Sequence, residues 1–295
     1  MPKVRANGVE LFYEERGDAG APAVLLIMGL GTQMIAWPES FVQGLADAGF
    51  RVIRYDNRDI GLSTAMNGAK AMHPLLALGM MRLGLKVPLA YSLTDTAADA
   101  VGLLDALGID RAHVVGASMG GMIAQLVASG WPDRVRTLTS IMSSSGRAGL
   151  PGPTPKLRGK LMARRPANPT REEAIAAGVD ILQLISFPDP MRSPQAFRQM
   201  AAEAFDRGYN PLGVRRQLLA ILADGSRVDR LRAIKAPTLL IHGAEDPLVP
   251  AANSEDLARA IPHARLVIVP GMAHDLPPSK TPEMVATIAA HMQEG

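Results

Sequence analysis

The stretch Val114-Val115-Gly116-Ala117-Ser118-Met119-Gly120-Gly121, followed by the apolar run Met122-Ile123-Ala124-Gln125-Leu126-Val127, leaves the chain few choices. It reads as a buried strand that reverses into a helix within about five residues, which demands small neighbours and puts the middle residue in a strained turn. Gly116 and Gly120 leave room, and Ser118 stands at the tip. There its hydroxyl meets the N-terminal end of a helix, whose free N–H groups favour a developing negative charge. An ordinary hydroxyl is a poor nucleophile and reacts only where geometry, a base and an oxyanion site converge on it. The bland reading is a glycine-rich turn with an incidental serine; the strand before it and the helix after it favour the nucleophile.

The rest of the chain supplies a frame for such a turn. Val4-Arg5-Ala6 and Val9 to Tyr13, joined by Asn7-Gly8, predict a two-residue hairpin. Ala23 to Met28 is a continuous apolar run, the pattern of a strand buried on both faces in a parallel sheet. Further strands are predicted at 51–55, 113–115, 135–142, 238–241 and 264–269. Helices are predicted at 40–48, at 92–107 with Ser92 and Asp95 as a capping box and Gly108 as the stop, at 251–260, and at 282–292 with Thr281 as N-cap. Strands alternating with helices predict right-handed crossovers and a mostly parallel sheet.

Residues 146–228 break the rhythm. A Gly/Pro-rich joint, Gly146 to Pro155, leads into helical patterns at Thr170-x-x-Glu173, Ser193 to Asp206 and Pro211 to Ala223. We read 1–145 and 229–295 as one core and 146–228 as a helical cap inserted over its carboxyl edge, the bland alternative being a decoration that touches no substrate. A second insertion, 65–90, carries Leu75-Leu76-Ala77-Leu78-Gly79-Met80-Met81-Arg82-Leu83 and reads either as a mobile lip or as a buried helix packed on the cap.

Composition closes several doors. With no cysteine among 295 residues there is no disulfide, thiol nucleophile or cysteine zinc site, which fits a reducing cytoplasm. A net charge of +3 and 4% aromatics argue against nucleic-acid binding. No signal segment or membrane-spanning run is read, and the expected location is cytoplasmic. There is no HExxH, EF-hand or P-loop pattern, so neither metal nor cofactor is expected. Gly29-Leu30-Gly31 after a strand, with Asp56 ending the next, is a weak dinucleotide signal: position 34 is Met where a third glycine belongs.

A serine nucleophile needs a base, and the base an orienting acid. Of six histidines, His274 lies in Pro270-Gly271-Met272-Ala273-His274-Asp275, just after the last predicted strand. His242 ends a strand and reads as a core histidine; His113 starts one, at the opposite edge. The acid is expected after an earlier strand, in Gly243-Ala244-Glu245-Asp246-Pro247, where Asp246 is preferred over Glu245. Asp275 has the wrong chain order and is expected to be exposed. The oxyanion donors are assigned to the N–H groups of Met119 and Leu30, with Gly29 as the alternative to Leu30. Met28, Gly29, Trp37, Met122 and Ser143 are expected to line the substrate pocket, with Leu30 and Met119. Arg147, Lys156, Arg158, Lys160, Arg164 and Arg165 make the start of the cap basic, more simply a solvated face than an anion trap.

Taken together, these residues resemble the α/β-hydrolase superfamily across the whole chain. Gly116-Ala117-Ser118-Met119-Gly120 and the Asp246 and His274 loops match, and Tyr55-Asp56-Asn57-Arg58-Asp59-Ile60-Gly61-Leu62-Ser63 is similar to the superfamily's D-x-R-x-x-G-x-S turn. With Met28-Gly29, Trp37-Pro38 and Pro270 to Pro277, the chain resembles the aclacinomycin-methylesterase-like branch. The resemblance implies an α/β-hydrolase fold, an eight-stranded, mostly parallel sheet flanked by helices, and a serine carboxylesterase with a Ser118–His274–Asp246 triad acting on small to medium apolar esters. Two features depart from it: Met28-Gly29 stands where many members have His-Gly, and the 65–90 insertion is long. Carbon–carbon bond hydrolases, lactonases and cofactor-free perhydrolases or haloperoxidases share the same triad; a triad-bearing small-molecule receptor is a rival of another class. A small-molecule ester is the expected partner, and homo-oligomerisation is left open.

Overall fold

A computed structural model describes residues 2–162 and 169–295. Asn7 and Gly8 both take positive φ, 46° and 81°, as a two-residue hairpin turn demands, so β1 (Lys3–Ala6) pairs antiparallel with β2 (Val9–Arg16). β2 in turn runs antiparallel to β4 (Arg51–Tyr55). The remaining neighbours are parallel: β3 (Ala23–Ile27), β5 (Ala112–Ala117), β6 (Val135–Ile141), β7 (Thr238–Gly243) and β8 (Arg265–Val269), in the order β1-β2-β4-β3-β5-β6-β7-β8. This is the eight-stranded, mostly parallel sheet expected.

The apolar run of β3 is buried throughout because the sheet is covered on both faces. Leu25 and Ile27 join one core cluster with α3 (Leu93–Ala106), α4 (Met119–Gly130) and α10 (Ala252–Ala260). Val24 and Leu26 join the other, with Phe41, Val42 and Leu45 of α1 (Glu39–Asp47) and Met284, Ile288 and Met292 of α11 (Thr281–Glu294). The α3 capping box forms as read, Ser92 and Asp95 each satisfying the other's backbone N–H. Thr281 is not an N-cap: it lies inside α11, directly after a 3₁₀ turn at Pro278–Lys280. Its hydroxyl donates back to Pro277 O (3.2 Å), so it does not cap the helix N–H groups.

The strand registers set the level of the loops. Ile27 faces Gly116, Ala117 faces Ile141, Ile141 faces Ile241 and Gly243 faces Val269. The parallel strands therefore finish nearly flush, and the loops after β3, β5, β7 and β8 emerge along one rim. In open parallel sheets this carboxyl rim is where ligands bind.

Between β6 and β7 the described chain is helical: α5 (Pro155–Met162), α6 (Arg171–Ile185), α7 (Ala196–Arg207), α8 (Pro211–Asp224) and the single turn α9 (Val228–Leu231). The Thr170–Glu173 capping box starts α6 as the spacing predicts. The helix expected from Ser193 begins three residues later, at Ala196. In the 65–90 insertion, α2 (Pro74–Arg82) touches α8 but buries only Ala77, while Leu75, Leu76, Leu83 and Leu85 are each more than half exposed. A helix buried against α8 is therefore not what forms. No helix among the described residues is long and apolar enough to cross a membrane.

His113 is buried at the amino end of β5, its Nδ1 2.9 Å from Thr137 Oγ1 and its ring edge-on to Phe50. Burial, with Arg136, His291 and Arg111 adding repulsion, lowers its pKa from 6.5 to about 4. Between those values the unfolded chain binds a proton that the folded chain refuses, so stability is lost as pH falls through this window. Urea unfolding of the wild type is expected to lose about 2 kcal/mol more between pH 6.5 and 4.5 than that of His113→Gln; equal losses would place the proton on the folded imidazole.

Candidate active site

At the elbow three glycines are required by contact, not by turn propensity alone. A Cβ on Gly116 would lie 2.1 Å from Gly120 O, one on Gly120 2.0 Å from Ile27 O, and one on Gly121 2.7 Å from Ser143 Cβ. These approaches seat the first turn of α4 on β3 and β5. The chain turns at Ser118, whose φ of 56° and ψ of −118° are unusual for a residue with a side chain. The strain is held by its surroundings: Ser118 N–H donates to Ile141 O (2.8 Å), while Ser118 C=O accepts from Met122 N–H (3.2 Å) and the Ser143 hydroxyl (2.8 Å).

Two loops further along the rim bring the other partners. His274 Nε2 lies 2.9 Å from Ser118 Oγ, and its Nδ1 lies 2.7 Å from Asp246 Oδ2. Asp246 Oδ1 accepts from the N–H groups of Leu248 and Val249, both at 2.8 Å. Burial alone would raise the Asp246 pKa, but His274, a bond from His242 and the Val249 N–H override it and hold the carboxyl at about 2. Asp246 is therefore ionised above mildly acidic pH. The His274 N–H donates to Ile185 O at the end of α6 (2.8 Å), which joins the histidine loop to the helical segment.

His242 is fully buried, as read, yet it also reaches the acid. Its Nε2 faces Val249 O (2.6 Å) and Asp246 Oδ2 (3.2 Å), both acceptors, and its Nδ1 faces the Ser254 hydroxyl (2.5 Å). Nε2 thus carries the proton and Nδ1 accepts from Ser254. Glu245 points elsewhere, accepting from Gly271 N–H (3.0 Å). Asp275 is not the exposed residue expected: its side chain is 11% exposed and pairs with Arg192 at 2.6 Å, because the chain after α6 folds over it, Phe187 N–H donating at 3.4 Å.

The loop after β3 makes a four-residue turn closed by Thr32 N–H on Gly29 O (3.2 Å), with Gly31 at φ +66° in its third position, where positive φ favours glycine. Gly29 lies against the elbow; a Cβ there would be 3.1 Å from Ser118 Cβ. The N–H groups of Leu30 and Met119 have no hydrogen-bond partner among the described residues. Met119 opens α4, where the first amides have no intrahelical partner.

Four pocket assignments are corrected. Met119 is 1% exposed, its side chain packed in the core cluster with α3. Trp37 is 1% exposed and stacked on Phe41, so it belongs to the core under α1. Met28 is buried in the same cluster. Ser143 has no exposed surface and supports Ser118 C=O and Gln125 from beneath the elbow. Met122 is half-buried, and Leu30 partly so. In the basic start of the segment, Arg147 pairs with Asp256 and Lys160 with Asp180; Arg164 and Arg165 lie outside the described residues.

Sequence reading missed a buried polar seam between α7, α8 and the core. Arg216 of α8 is bonded through two nitrogens to Asp59 (2.7 and 2.8 Å). Burial opposes the charge on Asp59, but the bonds from Arg216 and Met66 N–H prevail and keep its carboxyl below the ordinary range. Arg207 at the end of α7 reaches Asp56 (3.1 Å) and Gln33. Gln33 donates to Ala204 O (2.6 Å) and Gly208 O (3.0 Å), and Gln217 receives Gly31 N–H (2.9 Å). The one hint in the sequence is Arg215-Arg216-Gln217 between the apolar residues Val214 and Leu218 of α8.

Residues 22–280 match the alpha/beta hydrolase fold family. Rhodomycin D methylesterase DauP of Streptomyces sp. (strain C5) is 31% identical, the match covering 98% of this chain and 96% of that protein. Among solved structures, the enol-lactonase from Burkholderia xenovorans LB400 superposes with a TM-score of 0.75 at 25% identity, over 99% of this chain and all of that one. A meta-cleavage product hydrolase from Pseudomonas fluorescens IP01 does so with a TM-score of 0.77 at 20% identity, over 100% and 98%.

The elbow contacts yield a direct test. Gly120→Ala should cost more than about 4 kcal/mol or prevent folding, because its methyl meets backbone that cannot withdraw. Gly130→Ala, at the exposed end of the same helix with nothing within 4 Å, should leave stability unchanged or raise it by up to about 1 kcal/mol. Thermal melts of the two variants beside the wild type decide.

Proposed function

This chain belongs to the α/β-hydrolase fold family, and we propose that it is a carboxylesterase in which Ser118, His274 and Asp246 cleave small to medium apolar esters through an acyl-enzyme. The observation that carries this reading is the unbroken line from Ser118 Oγ through His274 to Asp246, at 2.9 and 2.7 Å. Three side chains spread over the sequence meet there in the order nucleophile, base, acid.

His274 Nε2 accepts the Ser118 proton as Oγ adds to the ester carbonyl carbon. The carbonyl π pair becomes an oxyanion, held by the N–H groups of Leu30 and Met119; one such donor stabilises the transition state by about 3 kcal/mol. When the tetrahedral species collapses, the C–O bond to the alcohol breaks and His274 returns its proton to the leaving oxygen. Water then adds to the acyl-enzyme with its proton passing to the same nitrogen, and the acid leaves as Ser118 is reprotonated. Asp246 keeps the proton of neutral His274 on Nδ1 and stabilises the imidazolium that forms in each half-reaction. His242, by donating to Asp246, helps to hold the carboxylate in the orientation His274 requires. The helices between β6 and β7 serve as a cap, with Leu30, Gly29 and Met122 on the reaction side and Ile185 touching the histidine loop.

The relatives support an ester as substrate: the methylesterase resembles this chain over nearly its whole length, and a lactone, as in the lactonase, is an ester closed on itself. Ser118→Ala should reduce turnover of short p-nitrophenyl esters by about 10⁴-fold or more while leaving the thermal melt unchanged. A fluorophosphonate should add one phosphonyl group, at Ser118, as seen by peptide mass spectrometry. Full activity in the alanine variant, or labelling at another residue, would overturn the proposal; a panel of esters and lactones then ranks substrates by kcat/KM.

A further inference from the structure

α8 turns one face toward the core loops. Of its five buried residues, Gly213, Arg216, Gln217, Leu219 and Ala220, the first three and the last recur at the spacing of a single helix face. The approach is close enough that a Cβ on Gly213 would sit 2.5 Å from Asp59 O. Two of the three side chains on this face are polar and deeply buried, a costly arrangement unless each finds partners. Arg216 finds Asp59. Gln217, with no exposed surface, finds two backbone groups on different core loops: its Oε1 accepts from Gly31 N–H at 2.9 Å and its Nε2 donates to Arg58 O at 3.2 Å.

The Gly31 bond bears on a particular peptide plane. Gly31 N–H and Leu30 C=O are the two ends of one planar amide. Gln217 holds the first end, and the Thr32 hydroxyl holds the second by donating to Leu30 O at 3.0 Å. The preceding amide has Gly29 C=O tied to Thr32 N–H, so its own N–H, that of Leu30, points the opposite way across the plane. Both planes flanking Leu30 are thus fixed, one of them by a side chain that belongs to the helical segment. The Gly31 Cα hydrogen side is closed as well: a Cβ there would meet both Val214 methyls at 3.0 Å.

We propose that Gln217 is a positioning residue for ester hydrolysis: by capturing Gly31 N–H from α8 it sets the loop that presents the Leu30 amide, so that oxyanion stabilisation requires α8 to be docked. This rests on the carboxylesterase reading above. Gln217 touches no reacting atom; it acts through the loop. Arg216, one residue away on α8, holds the helix in place through Asp59 of the core, while Gln217 ties it to Gly31. The helical segment would then contribute to chemistry as well as to enclosure of the substrate.

The test compares Gln217→Met, which keeps the volume and deletes both bonds, with Gln217→Glu, which keeps the acceptor for Gly31 N–H. The readouts are kcat and KM for a p-nitrophenyl ester and the inhibition constant of an alkyl trifluoromethyl ketone. That ketone takes Ser118 Oγ on its carbonyl carbon, leaving an oxyanion while the proton moves to His274, so its affinity reports the oxyanion site. In Q217M we expect kcat to fall about 10- to 100-fold with KM changed less than about threefold, and ketone affinity to fall in parallel. Q217E should retain more of both than Q217M. Should Q217M fail to fold, Gln217→Asn, whose amide is one methylene short of Gly31, carries the same expectation. Wild-type kcat and ketone affinity in these variants, or an effect confined to KM, would overturn the proposal. A wild type that neither binds the ketone nor loses activity as Ser118→Ala would instead overturn the carboxylesterase reading.

Discussion

The molecule depends on one close approach, that of the Gly120 backbone to the carbonyls of Ile27 and Met28. With hydrogen in place of a side chain, the first turn of α4 lies against the end of β3, and a Cβ there would overlap Ile27 O. That contact, with the matching one between Gly116 and Gly120, decides where the helix begins relative to the sheet. The position of α4 sets the Ser118 turn, and the β3 end sets the Gly29–Thr32 turn. Ser118 and the Gly29–Thr32 turn are neighbours because two backbones are pressed together beneath them.

From this contact outward, the site is an assembly of loops at one level. The parallel registers bring the ends of β3, β5, β7 and β8 to the same rim, so side chains meet that no local segment could unite. The electrostatics are local as well. Asp246 keeps its charge in a buried place because two amides, His242 and His274 surround it; removing any one of them would leave the remaining bonds to meet the cost of burial. His242 shows how one residue fits two descriptions: it is packed in the core, and it also contacts the Asp246 carboxylate.

How much of this could be read beforehand follows the range of the interactions. The hairpin at Asn7-Gly8, the capping boxes of α3 and α6 and the glycine pattern of the elbow are written in residues a few positions apart, and each forms. The alternation of strands and helices reveals the sheet, and once the sheet is known its rim points to His274 and Asp246. The pocket was harder. Trp37 follows the turn after β3 and Ser143 follows the end of β6, yet Trp37 turns into the core beneath α1 and Ser143 supports the elbow from below; a place after a strand's carboxyl end does not say which face of a loop a side chain takes. The seam of Arg207, Arg216 and Gln217 leaves only one local trace, in α8, for the opposite reason. Gln217 and Gly31 are 186 positions apart, and only the docking of α8 makes an amide in the middle of a helix the natural partner of a turn.

The distance along the chain between Ser118 and His274, 156 positions, has a consequence for how the protein comes into being. A polypeptide grows from its amino end, and a ribosome shields the most recently added stretch of it. The serine turn and the strands beside it emerge while the final strand, the loop that follows and the helix that closes the opposite face are still unmade. On the proposed reading the half-built molecule is therefore disarmed: it holds Ser118 without His274. Only when β8 pairs with β7, and the loop after it folds back along the rim, does the Ser118 hydroxyl gain the His274 imidazole as a neighbour.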